Sequence, residues 1–325
     1  MSKRSAPSAV KAVFPLSDTE LAVVFADPVE QSAIRIRNFS SAAGLRIRTV
    51  NVDESRPTRL ILTTSNMRAD EIVTDQLHFE GLALVGGKTS RKGSSPTFVQ
   101  GIKDPSQLKV PHFESAFPYG SKLIGAHVSV SCCTGCNGGV HDRNLVVINH
   151  HVGGPWTGIW VQTAKTIDSP YPRWQKVLCA GGVMAEQNGA TTIVDRGWME
   201  IYKQLEEPHH APPALPIETA DLPKSRDKRL FLKGLDASWV QFEDIHVETV
   251  EQVAPKARAS TSMSLRRSEI TFTDRSGGRT TAYLYQPSGL KICAGQKLRM
   301  LRGFIHAEKP GVYVLLSDKE EDIFL

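Results

Sequence analysis

The stretch WQKVLCAGGVMAEQNGATTIVDRGWMEI (174–201) decides the fold of the second half of the chain, because a similar stretch follows at GQKLRMLRGFIHAEKPGVYVLLSDKEEDI (295–323). Each stretch carries Gln-Lys near its start, and Gly182 and Gly303 each lie seven residues after the glutamine. The two copies are offset by 121 residues, which is about the length of a domain. This repeat indicates a duplication, so two consecutive domains are predicted to share one fold.

Outside the repeat, strand patterns are frequent and helical patterns are scarce. Short β-branched, aliphatic or aromatic runs are bounded by turn residues, which is typical of strands. The runs are LAVVF (21–25), LRIRTV (45–50), RLILTT (59–64), HVSVS (127–131), LVVIN (145–149), GIWVQT (158–163), TTIVD (191–195), EITFTD (269–274), TAYLYQ (281–286) and GVYVLLS (311–317). The sequence therefore predicts a mainly β protein.

Two polar stretches divide the chain into three predicted domains. Residues 85–107 are rich in Gly, Ser and Lys, and residues 206–225 begin a proline-rich stretch that favours a stiff, extended connection. With these two stretches as linkers, the domains are expected at 8–84, 108–205 and 226–325.

The first domain carries a recognisable set of turn and strand residues. Pro28 marks a turn, and Leu60 and Leu62 alternate on one strand so that both face inward. The full set is Phe25, Asp27, Pro28, Val29, Asn38, Phe39, Thr58, Leu60, Leu62 and Thr63. In these residues the domain resembles the bacterial Ig-like domains of surface-layer and other envelope proteins. The resemblance implies an Ig-like β-sandwich and a place in a cell envelope.

Four arginines depart from that resemblance. Arg35, Arg37, Arg46 and Arg48 occur in alternating pairs and predict a basic outward face. This face is either a solvated sheet surface or a contact for an anionic partner.

Each of the two later domains has three strand signals, then a Gln-Lys strand, a hairpin turn and a last strand. This order predicts two tandem five-stranded Greek-key barrels. It resembles the OB-like domains of bacterial extracellular nucleases and envelope proteins. The residues that carry the resemblance are Gly158, Ile159, Val161, Gly182 and Val183 in one domain and Asp274, Gly277, Gly278, Gly295 and Gly303 in the other.

The stretch SCCTGCNGGVH (131–141) holds three of the five cysteines and is predicted to form the loop after the first barrel strand. Covalent haem is excluded because Asn137, not His, follows the Cys-x-x-Cys pair. Zinc would need four ligands, of which Cys133, Cys136 and His141 supply three. A local disulfide and a plain reduced loop remain open, and the reduced loop without a cofactor is favoured.

A candidate nucleic-acid face lies on the third strand of the last domain. Tyr283 and Tyr285 share one side of that strand, where their rings could stack on bases. Arg266, Arg267, Arg275 and Arg279 lie nearby in the sequence and could contact phosphates. The alternative is that this face packs against the neighbouring barrel, with Leu284 as the residue of the barrel's own core.

Composition narrows the class of protein only slightly. The net charge of +5 and the pI near 8.9 permit an anionic partner without requiring one. A membrane span is not expected, because no run of about 18 apolar residues occurs. The first residues show no signal peptide pattern. We expect an extracellular or cell-envelope location if a leader has been removed, and a cytoplasmic one otherwise.

The sequence favours a non-catalytic function. It contains no Gly-x-Ser-x-Gly elbow, no Walker loop and no His-Glu-x-x-His motif. The leading hypothesis is a structural or binding protein of a cell-surface or extracellular assembly, with other protein subunits, further copies of itself or surface glycans as partners. The alternatives are a single-stranded nucleic-acid-binding protein and an accessory fragment of a secreted nuclease or phosphoesterase.

Overall fold

The computed structural model describes residues 9–85, 88–90, 92–109, 123–138, 145–164, 173–203, 210–222, 234–253, 267–285, 291–309, 312–317 and 320–325. Strands account for 56% of the structure and helices for 8%, so the prediction of a mainly β protein is confirmed. Within the described residues, no helix has the length and apolar character that crossing a bilayer requires.

Two small sheets enclose one apolar core in the first module. Its strands are β1 (Val10–Ser17), β2 (Glu20–Phe25), β3 (Phe39–Ser41), β4 (Ile47–Val52), β5 (Arg59–Thr64), β6 (Thr74–Asp75), β7 (Leu77–Phe79), β8 (Leu82–Leu84), β9 (Lys88–Ser90) and β10 (Gly93–Ser94). One sheet has the order β1-β2-β5-β4 and the other has the order β10-β7-β3. Leu60 and Leu62 are fully buried between them, so their predicted inward orientation is confirmed. The Ig-like assignment stays a prediction.

The predicted linker at 85–107 is not a free connection. Its residues form β9, β10, β11 (Phe98–Lys103) and the start of the short helix α1 (Pro105–Lys109). β10 pairs with β7 of the first module, whereas β11 pairs in parallel with the first strand of the next module. The polar composition reflects short edge strands that pair on both sides of the boundary.

Five strands form a closed ring in the second module, which we call the first barrel. The strands are β12 (His127–Gly138), β13 (Leu145–Asn149), β14 (Gly158–Gln162), β15 (Lys176–Gln187) and β16 (Ala190–Val194), and β17 (Glu200–Lys203) adds to β15. The ring runs β12-β13-β14-β16-β15 and closes where β15 pairs with β12. The β14–β16 pairing is parallel, and the other four are antiparallel.

The third module, the second barrel, repeats this ring. Its strands are β18 (Leu215–Pro216), β19 (Trp239–Val253), β20 (Arg267–Thr273), β21 (Arg279–Tyr285), β22 (Lys297–Lys309), β23 (Val312–Ser317) and β24 (Ile323–Phe324). The order β19-β20-β21-β23-β22 closes through β19–β22 pairing, with β21 and β23 parallel. The two five-stranded rings therefore have the same strand order, and each ring contains one parallel pair.

The glycines of the sequence repeat occupy equivalent places in the two rings. Gly182 lies on β15 and Gly303 lies on β22, each paired with the first strand of its barrel. A Cβ on Gly182 would overlap the side chain of Ile193, and one on Gly303 would meet Leu315 and the carbonyl of Leu316. Both positions need glycine because the last strand passes very close. The shared fold of the two domains rests on this correspondence.

The CCTGC stretch is part of a strand, which corrects the prediction of a loop. β12 runs through it, and its backbone pairs Cys133 with Asn149 and Gly138 with Leu145. β12 is long because its first half pairs with β15 and its second half pairs with β13, which closes the barrel. The register between β12 and β13 is irregular between Thr134 and Asn137.

The predicted proline-rich linker at 206–225 is also packed where the structure describes it. β18 pairs in parallel with β19, and Ile217 and Leu222 are buried in the core of the second barrel. Thr219 donates its backbone N–H and its hydroxyl to the carboxylate of Asp274, at 2.6 and 2.8 Å. The segment therefore adds an edge strand to the barrel and two apolar side chains to its core.

Candidate functional site

An apolar seam joins the two barrels. Its buried residues are Leu145, Val147, Trp160 and Trp174 from the first barrel and Ala237, Trp239, Tyr283, Phe304, Val314 and Leu316 from the second. These side chains lie on the outer faces of β13, β14, β19, β21, β22 and β23, or next to them. The outward-facing positions of both rings thus become buried when the barrels pack together.

Three aromatic rings form the centre of the seam. The ring centroids of Trp174 and Trp239 are 5.7 Å apart in an edge-to-face arrangement, and Phe304 lies 4.8 Å from Trp239. Aromatic pairs at these separations stabilise beyond the area that they bury. The guanidinium of Arg173 lies 5.0 Å from the Trp239 ring and forms an ion pair with Asp322 at 2.8 Å. Trp174 has a φ of 64°, an unfavourable conformation for a bulky residue, which the seam holds in place.

The backbones of the two barrels also touch. Asn149 donates through Nδ2 to the carbonyl of Ala237 at 2.9 Å, and the N–H of Trp156 donates to the carbonyl of Gly234 at 2.7 Å. A Cβ on Gly158 would overlap the Ala237 carbonyl. The seam therefore needs glycine at position 158, where the chain of one barrel approaches that of the other.

A fully buried carboxylate lies within the seam. Asp236 Oδ1 accepts hydrogen bonds from the indole of Trp160 at 3.2 Å and from the N–H of Ala307 at 3.0 Å. Oδ2 has no hydrogen-bond partner among the described residues. Burial raises the pKa of Asp236 to about 6, although nearby Lys109 acts in the opposite direction. The carboxylate is thus costly to ionise where it lies.

Lys109 reaches Asp236 from the end of helix α1. Its side chain is buried, and Nζ donates to the backbone carbonyl of Asp236 at 2.5 Å. Burial lowers the pKa of Lys109 to about 8. A cavity of about 20 Å³ lies beside Asp236 and is bordered by Trp160, Asn188 and His306. That volume is enough for one water molecule.

The tyrosine face predicted to bind nucleic acid is partly covered. Tyr283 is 4% exposed within the seam, and its hydroxyl donates to Glu308 Oε1 at 2.6 Å. Its ring is therefore not available to stack on a base, and the face packs on the neighbouring barrel instead. Leu284 is fully buried in the barrel core on the opposite side.

The other predicted nucleic-acid residues lie in different surroundings. Tyr285 and Arg267 belong to β21 and β20 through their backbones, and their side chains are outside the described residues, as is all of Arg266. Arg275 and Arg279 are exposed and form ion pairs with Glu218 at 3.3 Å and Glu248 at 2.7 Å. Arg275 and Arg279 therefore lie on the exposed surface, whereas Tyr283 is buried in the seam.

The predicted metal ligands cannot be compared with the structure. Cys133 and Cys136 lie on β12, but their side chains and the whole of His141 fall outside the described residues. In the part of the chain that is described, no three His, Cys, Asp or Glu side chains could hold a metal ion together. Cys179 is a buried free thiol, whose pKa burial raises, and Cys293 is an exposed one. The zinc hypothesis stays a prediction.

A second junction joins the first module to the first barrel. Phe14 and Val24 of the first module pack with Leu178 and Ala180 of β15. The hydroxyl of Ser129 donates to the carbonyl of Pro15 at 2.6 Å.

A largely buried ion pair reinforces the same junction. Arg59 donates through Nη1 to both carboxylate oxygens of Glu200, at 2.8 and 2.9 Å, and it also pairs with Asp53. This junction, like the seam, contains both apolar packing and buried charge.

An open groove on the first module is lined by both apolar and basic residues. We call it the basic groove, and it has a volume of about 600 Å³. Its lining residues are Ile34, Arg35, Ile36, Arg37, Arg48, Thr49 and Val50. The sequence drew attention to three of these arginines, but only the fold brings residues 34–37 beside β4.

Sequence reasoning missed Lys109, Asp236 and Trp174. Lys109 follows the predicted linker, and Asp236 lies in the run GLDASWV, where nothing distinguishes it from a turn residue. Lys109 and Asp236 are 127 positions apart, so no local pattern connects them.

No protein-family model and no curated protein sequence matches the chain. Several solved structures, among them the following three, have a weak likeness to it. The N-terminal part of the bacterial S-layer protein SbsC has a TM-score of 0.28 at 15% identity, over 60% of this chain and 43% of that one. Domains 1–6 of surface layer protein SbsC have a TM-score of 0.27 at 13% identity, over 83% of this chain and 33% of that one. A murine DNA binding protein bound with ds DNA has a TM-score of 0.25 at 11% identity, over 58% of this chain and 93% of that one. The chain spans less than half of either S-layer chain, and TM-scores this low carry no argument about fold or function.

Proposed function

We propose that the protein is a non-catalytic structural and binding unit of a cell-surface or extracellular assembly. The observation that carries this proposal is the pair of buried junctions between modules. Domains that are joined only by linkers move relative to one another, whereas large apolar interfaces hold them in one geometry. A fixed arrangement of three β modules is suited to presenting surfaces at constant spacing to other protein subunits or surface glycans.

The buried titratable groups support the non-catalytic part of the proposal. Lys103 donates from Nζ to the carbonyls of Arg68, Ala69 and Glu71 at 2.6, 2.8 and 2.6 Å. Lys109 and Asp236 are likewise engaged with backbone groups at the seam. Catalytic groups with shifted pKa values usually lie in accessible clefts, whereas these three are buried in structural contacts.

We further propose that the first module is an Ig-like sandwich and that each barrel is an OB-fold. Two facing sheets with one core support the first assignment. Five strands in Greek-key order, closed through the first and fourth strands, support the second. The envelope location follows from the resemblance of the first module to envelope proteins.

The proposal is tested in the organism that makes the protein. An antibody against the full chain is used on cell fractions after chemical crosslinking. We expect the chain in the envelope or secreted fraction, crosslinked to other subunits or to itself. Recovery only from the cytoplasm as an uncrosslinked monomer would overturn the proposal.

A second assay addresses catalysis and nucleic acid directly. The purified chain is incubated with single-stranded DNA and with a chromogenic phosphodiester. We expect no hydrolysis and no salt-sensitive DNA binding, because Tyr283 is buried in the seam. Turnover of either substrate would contradict the non-catalytic assignment, and tight DNA binding at low salt would contradict the proposed class of partners.

A further inference from the structure

We infer that the basic groove binds an acidic, extended segment of a partner protein. This inference rests on the proposed function, since it assigns one surface and one class of partner to the binding unit. Three features support it, namely the edge position of β4, the exposed arginines and the apolar floor of the groove.

The groove runs along the edge of a sheet. β4 is the last strand in the order β1-β2-β5-β4, and among the described residues it pairs only with β5. Arg48, Thr49 and Val50 are consecutive residues of β4, and all three line the groove. Consecutive strand residues point to opposite faces, so the groove must border the strand edge itself. Such an edge has backbone groups that an added strand can pair with.

The basic side chains of the groove are available for a partner. Arg37 and Arg48 are exposed, and so is Arg46 just outside the lining. Within the described ranges, none of these three arginines forms an ion pair or a side-chain hydrogen bond. Arg35 donates through Nη1 to the carbonyls of Ser32 and Ile34, at 2.9 and 2.7 Å, which fixes its guanidinium at the rim. Guanidinium groups bind carboxylates in a two-point geometry, so this rim favours an acidic ligand.

The floor of the groove favours a peptide over a polysaccharide or a nucleic acid. Ile34, Ile36 and Val50 contribute apolar surface, and Ile36 is 48% exposed, one of the few large hydrophobic residues so exposed in the described chain. A polyanion without apolar side chains would leave this surface uncovered. A strand with alternating acidic and apolar residues would satisfy both the arginines and the floor, and its backbone could pair with β4.

The experiment uses fluorescence anisotropy with labelled eight-residue peptides and the full chain. The probes are an alternating Glu-Val peptide, an alternating Lys-Val peptide and an alternating Glu-Gly peptide. We expect binding of the Glu-Val peptide that weakens with salt, weaker binding of the Glu-Gly peptide and none of the Lys-Val peptide. Absence of Glu-Val binding at low salt would overturn the inference, as would equal binding of the Glu-Gly peptide.

Variants then locate the site. Arg37→Gln with Arg48→Gln is expected to weaken binding about tenfold or more, because two charged hydrogen-bonding groups are lost. Ile36→Ser is expected to weaken binding of the Glu-Val peptide more than binding of the Glu-Gly peptide. Arg275→Gln with Arg279→Gln is the control, since it removes the same number of exposed arginines from the second barrel. An equal loss in the control would show a general charge effect and overturn the site.

Competitors separate the other classes of anion. A sulfated polysaccharide and single-stranded DNA are titrated against the chain under the same conditions. If either binds in an Arg48-dependent way and the Glu-Val peptide does not, the groove is an anion site of another class and the inference is wrong. If the groove does not bind the Glu-Val peptide, the inference is wrong, but the crosslinking result expected in the envelope is unchanged. If the chain is found only in the cytoplasm but still binds the Glu-Val peptide, the proposed function is wrong and the inference about the groove is retained.

Discussion

Lys109 Nζ lies 2.5 Å from the backbone carbonyl oxygen of Asp236, a residue 127 positions further along the chain. This contact ties helix α1, which precedes the first barrel, to the segment that enters the second barrel. Both side chains are buried, and burial moves both pKa values toward neutrality, to about 8 for the lysine and about 6 for the aspartate. The seam therefore contains two groups whose charge states respond to pH within the range where proteins remain folded.

The first prediction concerns Asp236→Asn and the pH dependence of stability. The folded-state pKa of about 6 lies above the usual value of 3.8, so the favourable contribution of this group is complete below pH 3.8 and is lost as the pH rises through 6. Asparagine keeps the acceptor for Trp160 and Ala307 and carries no charge. The substitution also leaves the buried Lys109 ammonium without its neighbouring carboxylate, so at pH 7.5 the variant is expected to lose about 1–3 kcal/mol of unfolding free energy. At pH 4.5, where the folded-state carboxyl is already protonated, the variant is expected to match the wild type. Urea unfolding at pH 4.5 and 7.5 measures this, with Asp70→Asn, at an exposed position of the first module, as the control.

The second prediction concerns Lys109→Met. The folded-state pKa of about 8 lies below the usual 10.5, so the contribution of this lysine is fully present above pH 10.5 and is lost as the pH falls through 8. Methionine removes the cost of burying the lysine ammonium group, but it leaves the Asp236 carboxylate buried without a nearby positive charge. We expect a net loss of about 2–4 kcal/mol at pH 7.5, because an isolated buried charge is strongly unfavourable.

A double-variant cycle distinguishes this mechanism from a simple loss of packing. Lys109→Met combined with Asp236→Asn is expected to recover most of the lost free energy of unfolding, because no buried charge remains. Additive effects of the two substitutions would show that the groups do not interact. The unfolding free energies of the four proteins are compared at pH 7.5 and constant salt.

The third prediction concerns the seam as a mechanical connection. Trp239→Ala removes a buried ring that contacts Trp174 and Phe304, and it should lower the stability of the second barrel by about 3–5 kcal/mol. It should also uncouple the barrels, so that calorimetry shows two transitions in place of one. Phe272→Ala is the control, because Phe272 lies inside the second barrel and away from the seam. A single transition in Trp239→Ala, shifted as in the control, would contradict the coupling.

The sequence predicted the strands and the duplication well, because both depend on local alternation and on residues such as Gly182 and Gly303. It also placed Leu284 in a barrel core and Tyr283 on the outer face. It could not predict that another module covers that face, because alternation assigns a side but not its neighbour. Likewise, the CCTGC stretch looks like a loop locally, and it is a strand because β15, more than 40 residues away, pairs with its start and β13 pairs with the rest. The Lys109–Asp236 contact has no local signal at all.

The fourth prediction concerns the thiols of β12. Cys133 and Cys136 belong to β12 through their backbones, and the β12–β13 register is irregular between Thr134 and Asn137. The sequence supplies three candidate ligands, Cys133, Cys136 and His141, where a structural zinc site needs four, so we expect no stoichiometric zinc. Elemental analysis of the chain purified without chelators measures the metal content, with Cys136→Ser as the test variant and Cys293→Ser, an exposed thiol elsewhere, as the control. One zinc ion per chain that disappears in Cys136→Ser and persists in Cys293→Ser would instead establish a metal site at this strand.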